Sequence, residues 1–86
     1  MSYEVGFKPA ALRQLRKLDA DVQIAIIAEI ECLGDNPRPD GCKKLKDKTD
    51  LYRIRVANTY RVVYEIQDQQ LLITVIKVGH RREVYR

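Results

Sequence analysis

The order of apolar and polar positions predicts a strand, then helices, then a run of strands. Tyr3, Val5 and Phe7 alternate with polar residues, which is typical of a short first strand. Pro9 then suits the first turn of a helix, where its missing N–H leaves no hydrogen bond unmade. Asp19 is a candidate N-cap for a second helix.

Both predicted helices are amphipathic, with apolar residues recurring at helical spacing. The apolar residues of the first helix are Leu12, Leu15 and Leu18. Those of the second helix are Val22, Ile26, Ile27, Ile30 and Leu33. Gly34 and the Asn36–Pro37 step end the second helix. Two such helices in tandem need an apolar surface to cover, and the strands that follow supply one.

The second half of the chain alternates apolar residues with arginines. Residues 51–56 and 60–66 predict a β-hairpin closed by residues 57–59. Residues 68–70 turn the chain into a strand over 71–78, which is apolar on both faces and is therefore expected inside the sheet. We expect one α+β domain over residues 1–86. Its two N-terminal helices should pack on one face of a mostly antiparallel sheet of about four strands.

Charge is distributed unevenly along the 86 residues. Residues 1–37 carry a net charge of −2 and residues 38–86 carry +6, for a total of +4. The separation suggests a basic site built by the second half, as in proteins that bind a polyanion. Small soluble proteins can also be basic without binding nucleic acid, and that alternative stays open here.

Other functional classes find little support in the sequence. The first residues lack the apolar core of a signal peptide, and no stretch has the ~20 apolar residues that span a bilayer, so we expect a cytoplasmic protein without membrane contact. Cys32 and Cys42 have no metal-ligand spacing and are expected to be reduced thiols. Neither a metal nor a cofactor is expected.

The hairpin predicts a cluster of guanidinium groups on one face. A three-residue loop would place Arg55 opposite Arg61, with Arg53 two positions along the same face. Opposed like charges weaken strand pairing by up to about 1 kcal/mol. Guanidinium groups grip phosphate oxygens through paired N–H donors. The cluster therefore indicates a phosphate site, against the alternative of a solvated face whose arginines splay apart.

Further polar residues flank this cluster. Residues 35–50 read as a loop rich in lysine, including Lys44 and Lys46, which forms either a solvated loop or the rim of an anion site. Arg82 follows Arg81 directly after the last strand, within reach of the same rim. His80, the only histidine, could move protons near neutral pH or could be structural. Tyr85 could be a loose end, or could stack on a base or donate a proton.

Several segments together resemble the RelE branch of the RelE/ParE toxins. The matching segments are residues 7–12, 16–18, 36–38, 51–56, 60–65 and 78–85. The resemblance implies a compact fold of microbial ribonuclease type and the toxin of a type II toxin–antitoxin pair. It further implies an endoribonuclease that cleaves messenger RNA in the ribosomal A site by attack of the RNA 2′-hydroxyl, without metal.

The resemblance also carries functional positions onto this sequence. The catalytic arginine of the hairpin matches Arg61, the arginine after the Gly-basic turn matches Arg81, and the C-terminal tyrosine matches Tyr85. Two basic positions, lysines in the best-known member, match Arg53 and Arg55. These arginines are a departure, because arginine stays protonated and cannot act as a general base. Tyr85 and His80 remain for that role.

We therefore expect the following sites and partners. The catalytic candidates are Arg55, Arg61, His80, Arg81 and Tyr85. The RNA-binding candidates are Lys44, Lys46, Arg53 and Arg82. The expected partners are a RelB-type antitoxin, the ribosome and messenger RNA, with DNA reached only through the antitoxin. Two alternatives are a non-catalytic gyrase inhibitor of the ParE type and a module that binds nucleic acid without cutting it.

Overall fold

The computed structural model describes residues 2–45 and 50–84 and has the predicted α+β architecture. The elements in chain order are β1 (Glu4–Phe7), α1 (Pro9–Arg16), α2 (Ala20–Leu33), β2 (Lys43–Lys44), β3 (Leu51–Val56), β4 (Tyr60–Gln67), β5 (Leu72–His80) and α3 (Arg81–Val84). A single 3-10 turn, Asp68–Gln70, joins β4 to β5. Within the described residues, no helix is long and apolar enough to cross a membrane.

The sheet has the strand order β1-β5-β4-β3-β2. Strand β1 runs parallel to β5, and the other neighbours are antiparallel. The mostly antiparallel sheet is therefore confirmed, and β5 lies in its interior as its apolar sequence predicted. A β-bulge interrupts the pairing of β4 with β5 between Val63 and Tyr64.

The described residues contain five strands, one more than the roughly four expected. The extra strand is the two-residue β2, which lies inside the stretch 35–50 that the sequence predicted to be a loop. Its two lysines carry no alternating apolar pattern, so nothing local marks them as a strand. They are a strand because they pair with Tyr52 and Arg53 of β3.

Helices α1 and α2 cover one face of the sheet and bury their apolar stripes against it. The buried helix residues are Ala11, Leu15, Ile26, Ile30 and Leu33, and they form one cluster with the inward side chains of β3, β4 and β5. Ile27, predicted to widen the stripe of α2, is 37% exposed, because only one side of that helix meets the sheet. Asp19 occupies the N-cap position of α2 but makes no capping hydrogen bond with its side chain.

Gly34 permits a close approach between the end of α2 and the start of the chain. The Tyr3 N–H donates to the Gly34 carbonyl over 2.6 Å. A Cβ added at Gly34 would lie 3.1 Å from the Tyr3 carbonyl oxygen and 3.2 Å from that of Glu31. A side chain here would therefore push β1 away from α2.

The hairpin between β3 and β4 closes as the sequence predicted, with Val56 opposite Tyr60. Ala57 and Asn58 both adopt left-handed conformations, with φ of 53° and 59°. The Thr59 N–H donates to the Val56 carbonyl over 3.3 Å. Two successive left-handed residues give the turn a twist that matches the twist of the strands. The turn thereby fixes the register that sets Arg55 against Arg61.

Candidate functional site

The face of the sheet that is turned away from α1 and α2 carries most of its cations in two neighbouring rows. On β3 and β4, the side chains of Tyr52, Ile54, Val62 and Tyr64 join the core under the helices. Successive side chains of a strand point to opposite faces, so the residues between them lie on the other face. We call this surface the arginine face, and the cations that the described strands place on it are Lys43, Arg53, Arg55, Arg61 and Lys77.

The first row runs across three strands and contains two arginines. Arg55 lies opposite Arg61, as predicted, and Arg61 lies opposite Gly79. Arg55 is exposed, whereas Arg61 is only 7% exposed. Gly79 brings no side chain to the row, so the position beside Arg61 on β5 is free of bulk. The row therefore places two guanidinium groups side by side, one exposed and one largely buried.

The Arg61 guanidinium is oriented by the hairpin turn. One terminal nitrogen donates to the carbonyl oxygens of Asn58 and Tyr60, over 3.5 and 3.3 Å. Its Nε is buried and makes no hydrogen bond with any described residue. A buried donor without an acceptor destabilises a protein by about 1–3 kcal/mol. The Arg61 guanidinium is therefore held at one terminal nitrogen and has no acceptor at Nε among the described residues.

The second row contains Lys43, Arg53, Val63 and Lys77. These residues are successive cross-strand partners on β2, β3, β4 and β5. Arg53 is 7% exposed, whereas Lys43 and Lys77 are exposed. The alternative of a solvated face with splayed arginines therefore does not describe Arg53 or Arg61, which are buried.

The register separates the lysines of β2. Lys43 pairs with Arg53, but Lys44 pairs with Tyr52, whose ring lies on the helix side of β3. Lys43, which the sequence analysis did not select as a site residue, therefore lies in the second row, and Lys44 does not. Lys77 was missed as well, because the bulge in β5 shifts the alternation and only the strand pairing reveals its face.

A carboxylate lies next to the second row, on the side away from the hairpin loop. The next position of β4 on this face is Glu65, which pairs with Leu51 on one side and Thr74 on the other. The Gln67 side-chain amide donates to Glu65 over 3.1 Å. The arginine face thus has a positive end near the hairpin and a carboxylate next to it, which limits the area that favours an anion.

Arg81 joins this surface through its backbone. Its N–H donates to the Thr59 carbonyl over 2.9 Å, which places Arg81 beside the hairpin loop and one position beyond the Tyr60–His80 pair. Arg81 and Arg82 are both exposed, in the first turn of α3. The structure therefore brings Arg55, Arg61 and the backbone of Arg81 to one corner of the sheet.

His80 lies on the other face of the sheet from Arg55 and Arg61. It pairs with Tyr60, and the two rings meet edge to face with centroids 6.1 Å apart. Alternation places it on the face opposite to Gly79 and Arg61. Its Nδ1 accepts a hydrogen bond from the Arg82 N–H over 3.2 Å, which is what an N-cap residue does for a helix. The structure does not bring His80 to the arginine face, and it indicates that His80 caps α3.

Two predicted site residues fall outside the described part of the chain. These are Tyr85 and Lys46. Their assignments stay predictions.

A second polar cluster, which the sequence analysis missed, surrounds Arg38. Arg38 donates two hydrogen bonds to the carboxylate of Asp68, over 2.8 and 3.2 Å, and one to the Tyr52 hydroxyl over 3.2 Å. Its guanidinium carbon lies 5.1 Å from the centre of the Tyr52 ring. The Tyr3 hydroxyl donates to the same carboxylate over 2.6 Å. Nothing in the spacing of these residues along the chain signals that they meet.

This cluster has strong electrostatic consequences. Hydrogen bonds from Arg38 and then from Tyr3 lower the pKa of Asp68 to about 2. The bond to Asp68 raises the pKa of Tyr3. Burial raises the pKa of Tyr64, whose hydroxyl donates to the Pro37 carbonyl over 2.7 Å. Arg38–Asp68 is the only ion pair formed between two described residues.

Metal ligands and thiols contribute little to the described site. Among residues 2–45 and 50–84, no three His, Cys, Asp or Glu side chains form a group that could hold a metal ion. Cys32 and Cys42 are both free thiols.

Comparison with known proteins gives consistent matches along the whole chain. A family profile described as "ParE toxin of type II toxin-antitoxin system, parDE" matches residues 5–85. A RelE-like toxin protein of Escherichia coli is 37% identical over 82 residues, which cover 94% of this chain and 85% of that protein. The mRNA interferase toxin RelE of Escherichia coli (strain K12) is 33% identical over 88 residues, covering 99% of this chain and 92% of that protein.

Solved structures agree with these matches. A chain in the crystal structure of the intact E. coli RelBE toxin–antitoxin complex superposes with a TM-score of 0.80 at 30% identity. The superposition covers 91% of this chain and 95% of that one. The similarity therefore extends to the fold as well as to the sequence.

Proposed function

The chain belongs to the RelE/ParE family of type II toxins, in its RelE branch, and from this premise we propose that it cleaves messenger RNA on the ribosome. The observation that carries the proposal is the first row of the arginine face. Arg55 and Arg61 oppose each other there, and the buried Nε of Arg61 makes no hydrogen bond with a described residue. An RNA phosphate supplies the negative charge and the acceptors that this arrangement lacks.

The proposed reaction needs no metal, as membership of the RelE branch implies. The 2′-hydroxyl oxygen of the nucleotide before the cleavage point attacks the adjacent phosphorus and loses its proton. The bond from phosphorus to the 5′-oxygen breaks, and that oxygen takes up a proton. The products are a 2′,3′-cyclic phosphate and a free 5′-hydroxyl.

The arginines stabilise the charge that builds up on the phosphate. Two guanidinium groups that are already in place lower the free energy of the transition state without reorganising, which is often the largest single catalytic effect. Arg61 is held by the hairpin carbonyls, and Arg55 faces it across the strands. Arg81, at the same corner, adds a third positive charge.

The proton transfers need a different group. Arg55 and Arg61 stay protonated and cannot accept a proton. His80 makes its hydrogen bond within α3, on the other face. Tyr85 is therefore the residue that we propose as proton donor to the leaving 5′-oxygen, with Arg53, Lys46 and Arg82 as contacts to the RNA backbone. Lys44 stays a candidate contact with the ribosome rather than with the cleaved phosphate.

The test is cleavage of a defined message on ribosomes that hold an empty A site. We expect a single cut in the A-site codon and no cut in the same RNA free of ribosomes. A 2′-deoxy nucleotide before the cleavage point should abolish the cut. Cleavage of the 2′-deoxy message would contradict the 2′-hydroxyl mechanism.

A second candidate function follows from the matching profile, which is described for ParE toxins. A ParE-like protein would inhibit DNA gyrase by protein contact, without cutting RNA. Pulse labelling of cells after induction separates the two functions. Early loss of protein synthesis with continued DNA synthesis supports the nuclease, whereas early loss of DNA synthesis with DNA breaks supports the gyrase inhibitor.

We further propose that a RelB-type antitoxin neutralises this protein in the cytoplasm by covering the arginine face with an acidic segment. Opposite charges steer and hold such a partner, so affinity should fall as salt rises. DNA would be reached only through the antitoxin. A complex that left Arg55, Arg61 and Arg81 exposed would contradict direct masking.

A further inference from the structure

We propose that Lys77, Arg53 and Val63 form a second phosphate site, for the phosphate next to the one that is cleaved. The inference rests on the proposed function and names how that same site holds its substrate. Val63 lies between Arg53 and Lys77 as their direct cross-strand partner. A phosphate above Val63 therefore has a cation on each side.

The spacing of the two rows fits a nucleic-acid strand. Positions two residues apart on one strand are separated by about 6.8 Å, and neighbouring strands by about 4.8 Å. Arg61 and Val63 are two residues apart on β4, so the two sites are separated by about the distance between successive phosphates of an extended RNA strand. The RNA would then follow β4 from Arg61 towards Val63.

The side chains at the second site suit binding rather than catalysis. Val63 is 5% exposed and brings no charge between the two cations. Lys77 is exposed, so its ammonium group can reach a phosphate that lies above Val63. Lys43, the partner of Arg53 on β2, adds a cation at the outer rim.

Glu65 limits the number of phosphates that the arginine face can bind along β4. It follows Val63 on the same face of β4, and a third phosphate there would meet a carboxylate. The face thus offers two phosphate positions in this direction and disfavours a third. That boundary fixes the register of the message relative to Arg61.

The test measures cleavage on programmed ribosomes with messages in which one phosphate is replaced by an uncharged methylphosphonate. The replacement is made in turn at the phosphate on each side of the cleaved one. The enzymes are the wild type, Lys77→Gln, and Lys17→Gln as a matched control that removes an exposed lysine from the helix layer.

With native RNA, we expect Lys77→Gln to lower kcat/KM by about threefold to tenfold, as for loss of one exposed ionic contact, and Lys17→Gln to leave it unchanged. At one of the two flanking positions, the methylphosphonate should lower the wild-type value by a similar factor. The same replacement should have no further effect on Lys77→Gln, because the contact is already lost.

If Lys77→Gln and the methylphosphonate lowered kcat/KM independently of each other at both flanking positions, the second site would be overturned. The proposed nuclease function would still stand. A Lys77→Gln protein with wild-type kcat/KM would do the same. A wild-type protein that cuts no message would refute the proposed function, and the second site with it.

Discussion

Arg38 and Arg61 lie in opposite surroundings. The Arg38 side chain is 42% exposed, yet a carboxylate, a phenol and an aromatic ring all contact it. Arg61 is 7% exposed, yet it has two carbonyl acceptors, a buried Nε without a partner, and another arginine opposite. Within residues 2–45 and 50–84, a carboxylate neutralises the more exposed cation, and none neutralises the more buried one.

The difference separates stabilising interactions from functional ones. A cation taken out of water needs a compensating charge, and without one it destabilises the fold. The Arg38 cluster supplies that compensation and joins the residue before β1, the α2–β2 connection and the turn after β4. On the arginine face, we propose that an RNA phosphate supplies the compensating charge. The four predictions that follow change one region and measure whether the other responds.

The largest effect is expected at Arg61. Arg61→Ala should lower the cleavage rate on programmed ribosomes by about 10²–10³, because a charge donor is lost where negative charge builds up. Arg61→Lys should recover only part of this rate, since an ammonium group cannot donate the two parallel hydrogen bonds that a guanidinium donates to a phosphate. Arg13→Ala, which removes an exposed arginine of α1, is the control and should cleave normally.

The same Arg61→Ala protein should remain folded. Loss of the packed aliphatic stem is offset by relief of the repulsion with Arg55 and of the buried donor. We expect the free energy of unfolding in urea to change by less than about 1 kcal/mol. A folded Arg61→Ala protein that cleaves at the wild-type rate would end the catalytic assignment.

His80 provides the next largest effect and decides between two roles. If it caps α3, His80→Ala should weaken cleavage by moving Arg81 and Arg82, whereas His80→Asn should keep the cap and most of the rate. If it transfers protons instead, both variants should lose about 10²–10⁴ in rate. Equal, large losses in single-turnover cleavage would therefore contradict the capping role.

Tyr64 tests the region around Arg38 without touching the arginine face. Tyr64→Phe removes a buried hydroxyl and leaves the Pro37 carbonyl without its donor. We expect a loss of about 1–2 kcal/mol in the free energy of unfolding, with normal cleavage. Tyr60→Phe is the matched control on the same strand and should have a smaller effect on stability. A Tyr64→Phe protein that cleaved slowly but kept the wild-type free energy of unfolding would mean that the region around Arg38 is coupled to the arginine face.

Asp68 gives the smallest effect, which is present near neutral pH and is lost in acid. Its pKa is about 2 in the folded protein against 3.8 ordinarily. A lowered folded pKa stabilises above the unfolded value, so this contribution should be complete above about pH 4 and disappear as the pH falls towards 2. Thermal midpoints of Asp68→Asn should therefore lie below the wild type at pH 6 and converge with it near pH 2.

Asp35→Asn is the control for that titration, because Asp35 is exposed and forms no ion pair with a described residue. Its melting curves should follow those of the wild type at each pH. A constant gap between wild type and Asp68→Asn down to pH 2 would show that the hydrogen bonds of Asp68 do not depend on its charge.

The features that the sequence predicted well are those with a local periodicity. Alternation along residues 51–56 and 60–66 was sufficient to predict the hairpin, its loop and the opposition of Arg55 and Arg61. The short strand β2 and the placement of Lys77 depend on pairing with distant strands, and no local pattern shows them. The Arg38–Asp68 pair joins residues 30 positions apart, so only the folded chain reveals it.

Burial was the other property that sequence could not give. Alternation along the strands assigned Arg53 and Arg61 to the face without helices. Both side chains are nevertheless buried there, with 7% exposure each. Long side chains can lie along a sheet instead of extending from it, and the choice depends on their neighbours. For Arg61 the neighbours are the carbonyls of a left-handed turn, which the residue types alone do not predict.

The most direct test compares Arg61→Ala with Arg38→Ala in one experiment. Both proteins are assayed on the same programmed ribosomes, and circular dichroism melting curves are recorded on the same preparations. We expect Arg61→Ala to be folded and to cleave about 10²–10³ times more slowly. We expect Arg38→Ala to keep most of its rate but to melt about 2–6 °C lower. Equal losses of rate, or a larger loss for Arg38→Ala, would contradict the assignment of Arg61 to catalysis and of Arg38 to stability.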